Sequence, residues 1–208
     1  LPTRKWKEDT RGLPWYPGDT LNIGIGQGDM LVTPLQLATA VTVIANRGKW
    51  VPPRMLKSGI DLIDRSTVPR LDRIALIPDP VWDLVIGAME KVVHRGNQVY
   101  GENGTAWAYI GQDIEYRMAG KSGTAQVVAI KQGEVYDAEE LDERQRKHAW
   151  FVAFAPVDNP TIALAVLIEN GGGGSKFAAP VARAVLDHHL LKNTANSGRA
   201  VASTGEEL

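Results

Sequence analysis

The sequence contains no cysteine, so disulfide bonds, thiolate metal sites and thiol catalysis are excluded from the start. That absence suits reducing and oxidising compartments alike and leaves the location open. No charge of one sign dominates. With 23 basic and 24 acidic residues the formal charge is -1, too small a field to draw in nucleic acid or an acidic membrane surface, and no nucleic-acid partner is expected. No apolar run approaches the ~18 residues that span a bilayer, and the opening stretch Leu1-Pro2-Thr3-Arg4-Lys5 is too polar for a signal peptide. Any membrane anchor of the parent protein is expected to lie outside this chain. What the sequence does have is 44% hydrophobic residues over 208 positions, enough for one good core and short of two.

Residues 1–32 are rich in Gly, Pro and Trp without a period, and read as loops wrapped on something larger. Thr33-Pro34-Leu35-Gln36 has the form of a capping box with proline at the first helical position. Leu37, Ala38, Val41, Ile44 and Ala45 follow at helical spacing, which predicts a helix over 34–47. A second helix is predicted after Asp79-Pro80, with Val81, Leu84, Val85, Ala88, Met89 and Val92 as its apolar stripe and Gly96 as its stop. Short strands and turns are expected over 49–78.

Residues 117–130 have strand composition, and the charged run 131–147 reads as a solvated excursion. Trp150–Ala155 and Thr161–Ile168 are predicted to form an antiparallel hairpin through Pro156-Val157-Asp158-Asn159-Pro160. In its second strand Ala163 and Ala165 alternate with Ile162, Leu164, Val166 and Ile168, so a helix beginning near Ala179-Pro180 is expected against the small-residue face. Residues 193–208 read as a disordered tail. The fold class is therefore α/β of the α+β type, an antiparallel sheet covered by helices.

The stretch that carries chemistry is Lys121-Ser122-Gly123-Thr124. In a strand it presents a cation, two hydroxyls at alternate positions on one face, and a glycine that admits close approach to the backbone. Hydroxyl donors suit a carboxylate, and an exposed strand edge can pair with an extended substrate while leaving an N–H for an oxyanion. Such a motif arises by chance on the order of 1 time in 100 in a chain of this size, so its surroundings matter.

Those surroundings agree. Ala119-Gly120-Lys121-Ser122-Gly123-Thr124-Ala125-Gln126-Val127, Gly24-Ile25-Gly26-Gln27-Gly28 followed by Thr33-Pro34-Leu35-Gln36-Leu37-Ala38, and the pair Phe154-Ala155-Pro156 and Leu167-Ile168-Glu169-Asn170-Gly171-Gly172 together resemble class B penicillin-binding proteins, in family order over residues 1–191. Within that family the resemblance points to the branch that serves rod elongation. It implies the β-lactamase/transpeptidase-like fold in part, residues 1–192 being the C-terminal part of the transpeptidase domain.

It also implies a peptidoglycan D,D-transpeptidase that works through a serine acyl-enzyme. Its partners would be the D-Ala-D-Ala stem peptide, β-lactam antibiotics and a membrane glycan polymerase of the elongation machinery, at the periplasmic face of the bacterial inner membrane. Carried over by residue, Lys121 would supply the electrostatics of the pocket, and Ser122 and Thr124 would bind the substrate carboxylate. The Thr124 N–H would serve the oxyanion hole, Gly123 would keep the strand open, and Gln126 would pair with substrate through its backbone. No metal or cofactor is called for.

The family's nucleophile motif S-x-x-K is missing after every serine (58, 66, 122, 175, 197 and 203), as is S-x-N. The resemblance then implies that both lie upstream and that this fragment alone is inactive. A serine β-lactamase, a β-lactam-sensing domain and a noncatalytic scaffold of the same fold stay open as alternatives.

Other conspicuous residues carry less. Asp29 breaks the glycine pattern a dinucleotide loop needs, and 24–28 is expected instead as a tight backbone path beneath the active site. Asn170–Ser175 lacks the lysine of a P-loop and is expected as a rim loop. His188 and His189, adjacent on a helix, point about 100° apart and make a poor metal pair. His94 suits a helix C-terminus as a cation. Trp107 or Trp150 is expected to border the cleft.

Overall fold

Three antiparallel strands in the order β1-β2-β3 form the sheet of the computed structural model, with α5 on one face and α3 and α4 on the other. The structure describes residues 2–53, 77–96, 99, 101–127 and 141–202. Most of 49–78 and all of 128–140 therefore lie outside the described residues, and so do the strands expected in the first stretch and most of the excursion expected in the second.

Helix α3 (Pro34–Ala45) starts as its sequence dictates. Gln36 N–H donates to Thr33 Oγ1 at 3.2 Å and Thr33 N–H donates back to Gln36 Oε1 at 2.9 Å, so two otherwise orphaned amides are satisfied together. Gly48, at φ 89, lies just past the helix end.

Helix α4 (Asp79–His94) lies where expected but is turned on its axis: the buried side chains are Trp82, Ile86, Met89 and Val93. Of the predicted stripe only Met89 is buried, and Leu84 is 73% exposed. Two sets on this helix have i, i+4, i+7 spacing. The larger, headed by an indole, offers more apolar area to bury, so it faces the sheet.

The N-terminal segment corrects the sequence reading more plainly. Residues 1–32 contain two short helices, α1 (Arg4–Arg11) and α2 (Pro17–Gly24). Thr3 caps α1 by accepting from Trp6 N–H at 3.1 Å, and Gly12 ends it in the left-handed region at φ 63. At α2 the Asp19 carboxylate accepts from Tyr16 N–H at 2.7 Å. Of the Gly and Pro residues that suggest loops, Gly12 is the C-cap of α1 and Pro17 opens the first turn of α2. The buried Lys7 ammonium holds the two helices together through Asp19 at 2.5 Å, an ion pair that draws the Asp19 carboxyl below the usual range.

In the sheet, β1 (Ala119–Ala125) pairs with β2 (His148–Ala155), and β2 with β3 (Ile162–Ile168), confirming the antiparallel hairpin. Strand β1 is shorter than the expected 117–130: Gln126 and Val127 fall past its end. The described part of the charged excursion, residues 141–147, contains a 3-10 turn, Glu143–Gln145.

A helix does cover the small-residue face of β3, but it is α3. Ala163 packs in the cluster of Val41, Ala45, Ile86, Met89, Ala119 and Phe154. The terminal helix α5 (Gly174–Ala202) lies on the other face. There Ala178, Ala179, Ala182 and Leu186 meet Phe151, Ala149 and Ala153, flanked by Ile162, Leu164, Val166 and Ile168. The alanines that permit close packing sit on α5 itself, so the branched face of β3 can accept it. The helix begins earlier than Ala179 and absorbs Pro180. Its backbone also runs through Ala202, into the stretch read as a tail, because extending a formed helix through alanine-rich sequence needs no new nucleus.

Candidate active site

Lys121, Ser122, Gly123 and Thr124 occupy the middle of β1, and β1 is an edge strand among the described residues, paired only with β2. The register assigns their faces. Lys121 sits opposite Val152, which packs with the α3 and α4 cluster, while Ser122 and Thr124 sit opposite Phe151 and Ala149 in the α5 cluster. The two hydroxyl residues share a face, as expected, and Lys121 springs from the other.

Two hydrogen bonds determine which backbone groups meet solvent. Lys121 Nζ donates to the Ser122 carbonyl at 2.8 Å, and Gln27 Nε2 donates to the Thr124 carbonyl at 3.1 Å. Both acceptors therefore point away from β2. In an antiparallel strand the N–H and C=O of one residue point the same way and alternate along the chain, so the Ser122 and Thr124 amides also face the open edge. Gly123 and Lys121 turn toward β2. The lysine crosses from its own face to that same edge, bringing positive charge beside outward N–H groups.

Gly123 is packed from inside the molecule. Its hydrogen stands where a Cβ would lie 3.2 Å from Trp150 Cβ, and Gly174, the first residue of α5, presses on the same pair. A Cβ on Gly174 would come within 2.1 Å of the Trp150 carbonyl oxygen and 2.5 Å of the Gly123 carbonyl oxygen. The glycine run read as a rim loop is thus, at Gly174, a seat that docks the helix end on the sheet. Asn170 at φ 56 and Gly172 at φ 82 turn the chain into it.

Trp150 lies beside Gly123. Trp107 instead caps the end of α4, where a Cβ on Gly96 would fall 2.6 Å from its ring. Gln126 is exposed and lies just past the end of the strand. Gly26 and Gly28, both at positive φ, bracket Gln27, whose side chain reaches β1.

Two histidines acquire partners that no local pattern signalled. Met118 N–H donates to His94 Nε2 at 3.0 Å, and Asn170 N–H donates to His148 Nδ1 at 2.8 Å. Burial lowers the His94 pKa against the pull of Glu90, and the accepting nitrogen must keep its lone pair, so His94 ends α4 as a neutral ring rather than a cation. Glu90 in turn is held below the usual range by Arg117, whose guanidinium also reaches Asp158. These contacts tie α4 and the β2–β3 turn to the start of β1. Among the described residues no group of three or more His, Asp or Glu side chains is disposed to hold a metal ion, and no helix is long and apolar enough to cross a membrane.

The penicillin binding protein transpeptidase domain family matches residues 2–187. The chain belongs to that family. It is 41% identical over 196 residues to peptidoglycan D,D-transpeptidase MrdA of Haemophilus influenzae, covering 91% of this chain and 28% of that protein. To the MrdA of Escherichia coli it is 38% identical, covering 92% and 29%. The transpeptidase-family chain thus spans less than a third of the length of these curated relatives.

The crystal structure of Pseudomonas aeruginosa PBP2 in complex with WCK 5153 superposes with a TM-score of 0.72 at 42% identity, covering 92% of this chain and 38% of that one. A penicillin G acyl-enzyme complex of penicillin-binding protein A from Mycobacterium tuberculosis superposes with a TM-score of 0.53 at 30% identity, covering 81% and 34%. The expected β-lactamase/transpeptidase-like fold is thereby established for this chain.

Proposed function

We propose that this chain is the distal part, residues 1–192, of the transpeptidase domain of a penicillin-binding protein 2, a peptidoglycan D,D-transpeptidase of cell elongation. The observation that carries the reading is the open edge of β1, where the outward N–H groups of Ser122 and Thr124 and the Lys121 ammonium converge. The MrdA relatives bear that activity in their names.

In this mechanism a serine hydroxyl from polypeptide outside the chain gives its proton to a neighbouring base. It then attacks the carbonyl carbon of the penultimate D-alanine in a stem peptide. The Thr124 N–H stabilises the oxyanion, Ser122 and Thr124 hydroxyls hold the terminal carboxylate, and Lys121 supplies the potential that draws it in. The tetrahedral intermediate collapses, the C–N bond breaks, and D-alanine leaves with the transferred proton. An amine from a neighbouring stem then displaces the serine and forms the cross-link.

β-Lactams acylate the same serine as mimics of the stem. Gly123 keeps the strand slim at its centre, and Gln126 extends the line of backbone along which a substrate strand pairs. The stem peptide, β-lactams and a membrane glycan polymerase are the partners of the whole protein, which works at the periplasmic face of the inner membrane.

Mass spectrometry of the full-length protein after exposure to a penicillin tests this reading. A stable adduct of one penicillin is expected, and Lys121→Ala should slow its formation about 10- to 100-fold, the worth of a charged hydrogen bond. Absence of any adduct on the unaltered protein, or rapid turnover of the penicillin, refutes it.

A further inference from the structure

We propose that Gln27 is a positioning residue of the acyl-transfer site, acting through the Thr124 carbonyl; the inference rests on the transpeptidase reading above. Gln27 lies 97 residues from Thr124 in sequence, yet its side-chain amide donates to that carbonyl at 3.1 Å. Its own backbone is pinned first. Gly26 N–H donates to Ile23 O at 2.9 Å, Gln27 N–H donates to Asn22 O at 2.8 Å, and Gly26 and Gly28 adopt φ of 75 and 73. This bond links the N-terminal segment to the sheet at the position where the oxyanion donor sits.

The physical consequence is local. Thr124 carries two outward groups, an N–H on the peptide before it and a C=O on the peptide after it. The following peptide is tied to β2 only through Ala125, the last residue of β1, and no neighbouring strand among the described residues holds its outer oxygen. Anchoring its oxygen limits rotation about the Thr124 backbone and with it the aim of the N–H. An oxyanion donor is useful only when it is fixed before the charge develops. The carbonyl has a second lone pair, so a substrate strand can still donate to it while Gln27 remains bonded.

The test uses the full-length protein with Gln27→Met, which keeps the length of the side chain and removes the donor. Stopped-flow acylation by a fluorescent penicillin separates the affinity of the noncovalent complex from the first-order rate of bond formation. Loss of one neutral hydrogen bond should lower the acylation rate about 3- to 10-fold. The noncovalent affinity should stay within about twofold, because the groups that bind the carboxylate are intact. The melting temperature should stay within about 2 °C.

An unchanged acylation rate overturns the proposal. So does a faster one, which would mean that the amide occupies an acceptor the substrate needs. A fall matched by a large loss of melting temperature also overturns it, by making Gln27 merely structural. If the unaltered protein forms no adduct at all, it is the transpeptidase reading that fails, and this inference with it.

Discussion

Replacing Gly174 with alanine should loosen the contact between α5 and the sheet, and the structure says how. The new methyl carbon would stand 2.1 Å from the Trp150 oxygen, 2.5 Å from the Gly123 oxygen and 3.1 Å from the Gly123 nitrogen. An ordinary contact lies near ~3.5 Å, so the helix end must lift by roughly 1 Å or more. All three obstructing atoms are backbone atoms of paired strands and cannot swing aside as a side chain can. Lifting α5 separates Ala178, Ala179 and Ala182 from Phe151 and Ala153, all fully buried. Overpacking of this kind costs about 1–3 kcal/mol, and the immovable neighbours put this site at the upper end. Alanine's helix propensity would return at most about 1 kcal/mol.

For a domain of this size the net loss of about 2 kcal/mol lowers the melting temperature by roughly 4–8 °C. Gly173→Ala is the control, since a methyl group there meets nothing within 4 Å. Calorimetry of the two variants in the full-length protein decides the matter. If Gly174→Ala melts with Gly173→Ala, the close approach of α5 to the Gly123–Trp150 pair is not what holds the helix. Because that pair underlies the motif strand, penicillin acylation should also slow in Gly174→Ala and remain unaltered in Gly173→Ala.

Phe154→Ala removes a fully buried ring from the cluster beneath β1 and α3, and chemical denaturation should record a loss of about 3–5 kcal/mol. A loss under about 1 kcal/mol would mean that this face of the sheet is not packed as described. The His94 ring has its pKa lowered in the folded state, so the unfolded chain takes up the proton first as pH falls through the ordinary histidine range near 6.5. The stability it contributes is therefore complete above that range and declines below it. Urea midpoints measured from pH 8 to pH 5 should fall more steeply in the natural protein than in His94→Gln, and parallel slopes would refute the assignment.

Much of the fold was legible because its signals are local. The capping box at Thr33 and the proline-bounded turn between the last strands each involve neighbours in sequence, and each forms as read, whereas the alternation in 162–168 marked the two faces of β3 without telling which helix takes which. The motif Lys121-Ser122-Gly123-Thr124 was legible for the same reason. The errors fall where two local answers compete. Helix α4 carries two apolar sets, and the sheet selected the one headed by Trp82. The first 32 residues carry glycines and prolines that serve equally as loop-formers and as caps, and Thr3, Gly12 and Asp19 decided for helix.

The amino-acid sequence by itself determined that there is no thiol chemistry and that a strand bearing a lysine and two same-face hydroxyls is present. These follow from composition and period, which the chain carries wherever it folds. Only the tertiary structure decided that this strand is an edge among the described residues, which of its amides point outward, that Gly174 docks on Gly123, and that Gln27 reaches Thr124. Each of those joins residues tens of positions apart, and no pattern along a chain encodes which distant backbone group a side chain will meet until the core has brought the two together.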